Sequence, residues 1–327
     1  MPTPQDVHID TALTNVAIGY RNRGYIADKI FPRVAVAKQS DRYYKYPKGA
    51  WFRDEASIRA PRTQSRQATY PLSNEQYFAN EYALHTLVAD EERKNADTPL
   101  APDQKAVQFV MDKIDLRIER LVATLILTAA NWAGGHSEDA AGGWAAGGAN
   151  TFIEDVETRI ETIRKASGLR PNVLVLDAVT MSQLKREATV LSRIQYVERG
   201  IVTADLLASM FNLDRVLIGD AIYSDAQEKA DGTDFNAVDI WETNAGKGSA
   251  ALLYAAPAPS IDVPSAGYIF GWTSGDDMEE VGIKSSRGVR RWREAGKHSD
   301  AIESFDRVDA KMTGSDLGFL WYDTHTT

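Results

Sequence analysis

"PDQKAVQFVMDKIDLRIERLVATLILTAANWAGG", residues 102–135, carries the strongest periodic signal in the chain. Val107, Val110, Met111, Ile114, Ile118, Leu121, Val122 and Leu125 recur at the i, i+3, i+4, i+7 spacing of an amphipathic helix. Asp112, Lys113, Asp115, Arg117, Glu119 and Arg120 fall between them and read as its polar face. Pro99 and Pro102 stand where a helix start tolerates proline, and Gly134 and Gly135 where helices stop. The pattern predicts a helix over about 102–133. At 1.5 Å per residue it is roughly 45 Å long, more than the width of a compact domain. Such a helix implies an extended, flattish molecule.

Upstream, residues 38–70 show no helical period and are punctuated by Pro47 and Pro61, with Pro71 just beyond. A structureless connection of about 30 residues is uncommon inside a compact domain, so this one is expected to be functional or extended. Its core is "SDRYYKYPKGAWFRDE" (40–55), which interleaves Tyr43, Tyr44, Tyr46, Trp51 and Phe52 with Arg42, Lys45, Lys48 and Arg53. Arg59, Arg62 and Arg66 extend the basic run, and residues 76–89 read as a strand returning from it. Together these make a two-stranded arm. Such a ribbon is not stable alone in water and needs a surface to lie on.

Downstream, "GGHSEDAAGGWAAGGAN" (134–150) is a glycine- and alanine-rich boundary. An α/β block follows. It has a helix from Phe152 to Gly168, a strand "NVLVLD" (172–177), and a helix opened by a Thr180–Gln183 capping box and running to about Ala188. A Thr-capped helix (203–211) and a strand "RVLIGD" (215–220) complete it. Residues 220–245 are acidic and include an edge strand, "AVDIWE". The last third is strand-rich ("AALLYAA", "GYIFGWTS", "EVGIKSS", "AIESFDRVDAKM", "LGFLWYDT") and is expected to return beneath the long helix.

The 327 residues carry a net charge of −9, which argues against wholesale binding to nucleic acid or anionic membranes. With no cysteine there is no disulfide, thiolate nucleophile or cysteine metal site. The first ten residues lack the features of a signal peptide, and the most apolar stretch, 121–130, is too short to span a bilayer. The five histidines show no metal-ligand spacing. His85 precedes Asp90, Glu91 and Glu92, but three acids opening a helical turn read as a cap with favourable dipole placement. "NAGKGS" (244–249) lacks the rest of a phosphate loop and reads as a turn. No catalytic, cofactor or metal site is expected. A second basic, aromatic stretch, "KSSRGVRRWREAGKH" (284–298), reads either as a solvated hairpin or as an intersubunit or phosphate contact. Trp51 and Trp292 among arginines suit protein interfaces.

The order of these parts resembles that of tailed-bacteriophage major capsid proteins with the Hong Kong 97-like fold. Three phrases carry the likeness: "LTNVAIGYRNRGYIADKIFPRVAVAKQSDRYYKYPKG", "VADEERKNADTP" ahead of the long helix, and "RPNVLVLDAVTMSQLKREATVLSRIQYV" after it. The likeness covers essentially the whole chain and lies in the series of parts. It implies an α+β fold: an N-terminal arm (1–37), an extended β-loop (38–80), a peripheral domain with the spine helix (81–150), an axial α/β domain (151–260) and a β-rich return to the peripheral domain (261–327). It also implies a non-enzymatic subunit of an icosahedral shell around double-stranded DNA, assembled in the host bacterial cytoplasm as pentamers and hexamers. The expected further partners are a separate scaffolding protein, a portal and, optionally, a decoration protein, with no membrane. The expectation of a separate scaffold follows from Met1 preceding the arm without a helical leader. Predicted intersubunit contacts are Arg42, Tyr44, Tyr46, Lys48, Trp51, Arg53, Arg59, Arg62, Arg290 and Trp292. Lys45 and Lys48 are the candidates for the loop-lysine crosslink that some members form. The alternatives are an encapsulin-type nanocompartment shell of the same fold, marked by cargo docking, and a soluble α/β enzyme, marked by turnover.

Overall fold

The computed structural model describes residues 22, 24–45, 47–96, 101–147, 150–194, 202–226, 234–243, 246–260, 262–273 and 286–325. Most of the N-terminal arm, the "EVGIKSS" strand except its last residue, and Tyr46 lie outside them.

Two five-stranded sheets flank the long helix. The first has the order β1 (Arg33–Val36), β11 (Gly267–Trp272), β13 (Ser299–Met312) and β12 (Arg287–Glu294), with β4 (Asn80–Ala89) also paired to β13. β13 is 14 residues long, enough to serve three partners. Its first half runs between β12 and β4, and its second half pairs with β11. The second sheet has the order β5 (Ser137–Asp139), β14 (Gly318–Tyr322), β10 (Ser249–Leu253), β6 (Val173–Asp177) and β7 (Arg215–Gly219). The C-terminal strands therefore divide. β13 lies under the long helix, while β14 enters the sheet built around residues 173–177. Two small antiparallel pairs remain: β2 (Ser40–Lys45) with β3 (Ser73–Phe78), and β8 (Ile222–Ser224) with β9 (Ala237–Asp239).

The short helices in chain order are α1 (Ala27–Ile30), α2 (Lys48–Trp51) and α3 (Asp90–Asn95). The long helix is α4 (Pro102–Leu127), and α5 (Phe152–Ser167), α6 (Ala178–Leu184), α7 (Ala188–Ile194) and α8 (Ala204–Phe211) follow. Strand alternation sorts the core. Val173 and Val175 of β6 face Ile114, Ile118, Val122 and Ile126 of α4. Leu174 and Leu176 face the other way, onto Phe152, Val156, Ile160 and Ile163 of α5. A strand buried on both faces reads as a continuous apolar run, which is why "VLVL" shows no alternation.

Three boundaries differ from the sequence expectation. α4 has 26 residues, about 39 Å, and ends six residues early. Thr128 turns extended, and side chains beyond the helix take its last carbonyls: Thr128 Oγ1 donates to Thr124 O, Asn131 Nδ2 to Leu125 O at 2.8 Å, and Trp132 Nε1 to Ile126 O at 2.7 Å. α6 is capped by Asp177, not Thr180. The Asp177 carboxylate accepts from Val179 N and Thr180 N, and the helix closes at Leu184. Residues 76–89 form two strands, not one. They break at the buried Ala79, whose N–H donates to Gln39 O at 2.8 Å.

Glu119 is the fourth departure. It lies on the predicted polar face yet is only 1% exposed. Its Oε1 accepts from Trp241 Nε1 at 2.7 Å and Ile26 N at 3.0 Å, and its Oε2 accepts from Ala27 N at 2.8 Å and Ile26 N at 3.1 Å. The Ile26 and Ala27 N–H groups open α1, where an anionic acceptor is favoured. Burial raises this carboxyl above its ordinary range, against the pull of the three donors. The carboxylate ties the entering chain, the long helix and the 241 turn to one point.

Candidate intersubunit surface

The ribbon begins with a clamp. Along β2 and β3, Tyr43 and Tyr77 fall on the same face and are buried, stacking on Phe270 at 5.5 and 4.8 Å. Tyr43 Oη donates to Glu75, which also accepts from Lys45 Nζ at 2.6 Å, and burial pushes the Tyr43 hydroxyl well up. Period-two alternation turns Tyr44, opposite Asn74, to the outside, where it is 57% exposed. The aromatic density of the sequence thus divides into an internal anchor and an external strip.

Beyond the clamp and a short docking turn at Lys48 and Phe52, the ribbon stands out from the rest of the chain. Residues 56–76 are exposed without interruption. Trp51 is 64% and Phe52 67% exposed, and Ile58, Tyr70, Leu72 and Phe78 are exposed as well. Trp51 meets Tyr70 at 6.1 Å, holding the two limbs together. Arg42, Arg53, Arg59, Arg62 and Arg66 are all exposed. Arg53 reaches Glu55 at 3.1 Å, and Arg59 Nη1 donates to Thr63 O at 3.3 Å. Arg62 adopts a φ of 65° at a tight turn whose Thr63 N–H donates to Ala60 O.

Two predicted contacts, Lys48 and Arg290, have several partners within the chain. Lys48 Nζ donates to Ala166 O at 2.8 Å, at the C-terminal end of α5 where a cation is favoured, and pairs with Asp316. Phe52 lies over Gly168, whose φ of 76° and bare Cα leave room for the ring. Arg290 pairs with Glu303 at 3.1 Å and Glu81 at 3.2 Å and covers Phe305 at 4.1 Å. Both crosslink candidates, Lys45 and Lys48, are therefore held in ion pairs of their own subunit.

The second basic stretch follows the same rule, which favours its reading as a hairpin. Arg287 reaches the fully buried Asp306 at 2.9 Å and Asp115 at 2.5 Å. Arg291 pairs with Asp300, and Arg293 with Asp300 and Asp90. The guanidiniums of Arg291 and Arg293 hold the Asp300 carboxyl down at about 2. Trp292 stays partly exposed, with its ring 5.6 Å from that of His85. Asp90 is the first residue of α3 and serves Arg293, while Glu92 accepts from Ala89 N. In the "NAGKGS" turn, Lys247 pairs with Asp323 at 3.1 Å. Among the described residues no helix is long and apolar enough to cross a membrane.

The basic hairpin carried no sequence signal for its partners, because they sit 7 to 209 residues away, at separations no spacing rule links. Glu119 gave none either, since a lone charge within an apolar period normally marks the wet face. Only the alternation of Tyr43 and Tyr44 could have separated anchor from strip.

No family model matches the chain. It is 28% identical over 316 residues to the major capsid protein of Burkholderia phage BcepMu, covering 95% of both chains. Among solved structures it superposes on a phage-related protein from Bordetella bronchiseptica RB50 with a TM-score of 0.70, at 22% identity over 97% of this chain and 98% of that one. The capsid of cyanophage P-SCSP1u gives a TM-score of 0.61 at 12% identity, covering 94% and 90%. The SrpI encapsulin of Synechococcus elongatus PCC 7942 gives 0.53 at 10%, covering 97% and 96%. The chain has the Hong Kong 97-like fold of shell-forming proteins. Within that class its sequence kin are the major capsid proteins of phages.

Proposed function

We propose that the chain is the major capsid protein of a tailed phage and builds an icosahedral head by self-association. One observation carries the reading. On this fold, the ribbon over 51–76 displays aromatics and arginines to solvent, and residues 56–76 are exposed without interruption. Exposed strips of this kind mark interaction sites. Laid across a neighbour, Tyr44, Trp51, Arg42, Arg53, Arg59 and Arg62 become the strap. Trp292 contributes from the sheet edge, and the arginines paired within the chain stiffen the subunit that the strap pulls on.

The remaining assignments follow from the same reading. Residues 38–80 are the extended loop. The sheet around β13, with α4, forms the peripheral domain, and the sheet around β6, with α5 to α8, forms the axial domain near the local symmetry axes. The subunit works by interface chemistry without turnover, encloses double-stranded DNA, and assembles in the host with a scaffold and a portal. The encapsulin reading has weaker support, since that likeness is one of fold at 10% identity, whereas the kinship with a phage capsid protein runs along 95% of the chain.

The test is negative-stain electron microscopy with sedimentation velocity on the purified full-length chain, alone and with a cognate scaffold. Closed shells or capsomer rings are expected. A chain that stays monomeric under both conditions and under crowding overturns the reading.

A further inference from the structure

Among the described residues, most guanidiniums outside the ribbon meet a carboxylate of the same chain, as Arg33, Arg93, Arg159, Arg287, Arg291 and Arg293 do. Arg117 and Arg120, on the outer face of α4, are among the exceptions. Lys105, Lys113, Arg117 and Arg120 are all exposed. At 100° per residue they fall within one arc of about 120°, spread over roughly 22 Å of helix. Among the described residues none of the four is paired with a carboxylate. Three of them rest on aromatic faces instead: Lys113 lies 5.6 Å from the Phe109 ring, Arg117 5.8 Å from Tyr82 and Arg120 3.9 Å from Tyr223. Two neighbouring carboxylates are engaged elsewhere. Asp115 binds Arg287, and Asp309, which lines the same cleft as Arg117 and Arg120, accepts from Phe78 N and lies 3.7 Å from Lys311.

We infer that this stripe is a contact for the phosphate backbone of double-stranded nucleic acid, so that α4 faces the enclosed genome; the inference rests on the capsid reading. Charge selects the occupant. Four unneutralised cations on a chain of net charge −9 form a local positive field, and B-DNA presents a phosphate every 3.4 Å along each strand, so the stripe spans about six. Apolar surface lies beside the stripe, in Phe109 at 53% exposure and in Tyr82, Leu121 and Leu125 of the adjoining cleft, so charge is what favours nucleic acid, and the test separates it from a protein partner. A small charge number suits a shell that must hold its contents loosely. Such contacts read no sequence and weaken with salt.

The test is fluorescence anisotropy of the unassembled pool of full-length chain with a 30-base-pair duplex of arbitrary sequence, from 50 to 200 mM salt. Four phosphate contacts give a slope of log K against log salt near −3.6, a loss of about 150-fold over that range. The double variant Lys113→Gln, Arg117→Gln should halve the slope, leaving about a 12-fold loss, and should form shells in normal yield. A parallel variant, Arg59→Gln, Arg62→Gln, Arg66→Gln, should leave the slope unchanged. A slope unchanged in the stripe variant overturns the inference, as does a slope carried by the ribbon arginines. Failed assembly of the stripe variant with intact DNA affinity also overturns it and assigns the face to a second copy. Shells that form while DNA binding is unaffected would sink the stripe and leave the capsid reading standing.

Discussion

Glu119→Gln keeps the shape of a buried side chain and changes what it can accept. The carboxylate serves three donors, with Trp241 Nε1 on one oxygen, Ala27 N on the other, and Ile26 N shared between them. An amide has one acceptor oxygen. Turned toward Trp241, it leaves Ala27 N facing an NH2 group; turned toward Ala27, it strands the indole. Either way one buried donor is unsatisfied, at about 1–3 kcal/mol, and the remaining bonds lose their charge assistance, worth about 1 kcal/mol more. Relief of the desolvated charge offsets part of this. The expected net loss is about 2–3 kcal/mol, and Glu119→Ala should lose at least as much because a cavity is added. The assay is guanidinium unfolding of the unassembled subunit followed by circular dichroism, alongside trypsin cleavage after the exposed Lys29. A lower midpoint with unchanged slope and faster cleavage at Lys29 are expected. A midpoint within about 0.5 kcal/mol of wild type would refute the view that this carboxylate holds the entering chain to the long helix.

Three further perturbations test other parts. Replacing Tyr44, Tyr46 and Trp51 with alanine should abolish or sharply reduce particle yield while leaving circular dichroism unchanged; normal yield in sedimentation would sink the strap. Gly248→Ala should cost about 1–3 kcal/mol by urea unfolding, because Gly248 has a φ of 67° and an added Cβ would collide with His325 and Thr180. Asp300 is held near 2 against an ordinary 3.8, a depressed folded value. Its contribution is therefore complete above about pH 4 and is lost as pH falls toward 2. Asp300→Asn should flatten that part of the acid-unfolding curve, and an unchanged profile would count against the arginine cluster.

What the sequence revealed was what local chemistry decides. The helical period of α4, the Thr203 cap that accepts from Leu206 N, and the left-handed Gly168 closing α5 were all readable from near neighbours. The ribbon was legible as a segment with no fold of its own. What stayed hidden depends on residues far away in the chain. Asp306 gathers Arg33, Arg287 and Ser286, and no spacing rule links them. The end of α4 was misjudged because Gly134 and Gly135 are the stronger local stop, whereas Thr128, Asn131 and Trp132 end the helix earlier by capping its carbonyls. Nothing local separates Lys48 from the other cations of the ribbon; its partner, the carbonyl of Ala166 at the end of α5, is 118 residues away.

The position of β13 and β14 in the two sheets has a consequence for synthesis. β14 sits inside its sheet, between β5 and β10, and β13 is the strand on which β4, β11 and β12 all pair. Both are made after every other described strand. A nascent chain therefore holds two unfinished sheets until residues 299–322 leave the ribosome, and then closes both at once. Translation that stops short of residue 299 yields a product with neither sheet complete. Such a fragment lacks the framework on which the exposed ribbon over 51–76 is mounted.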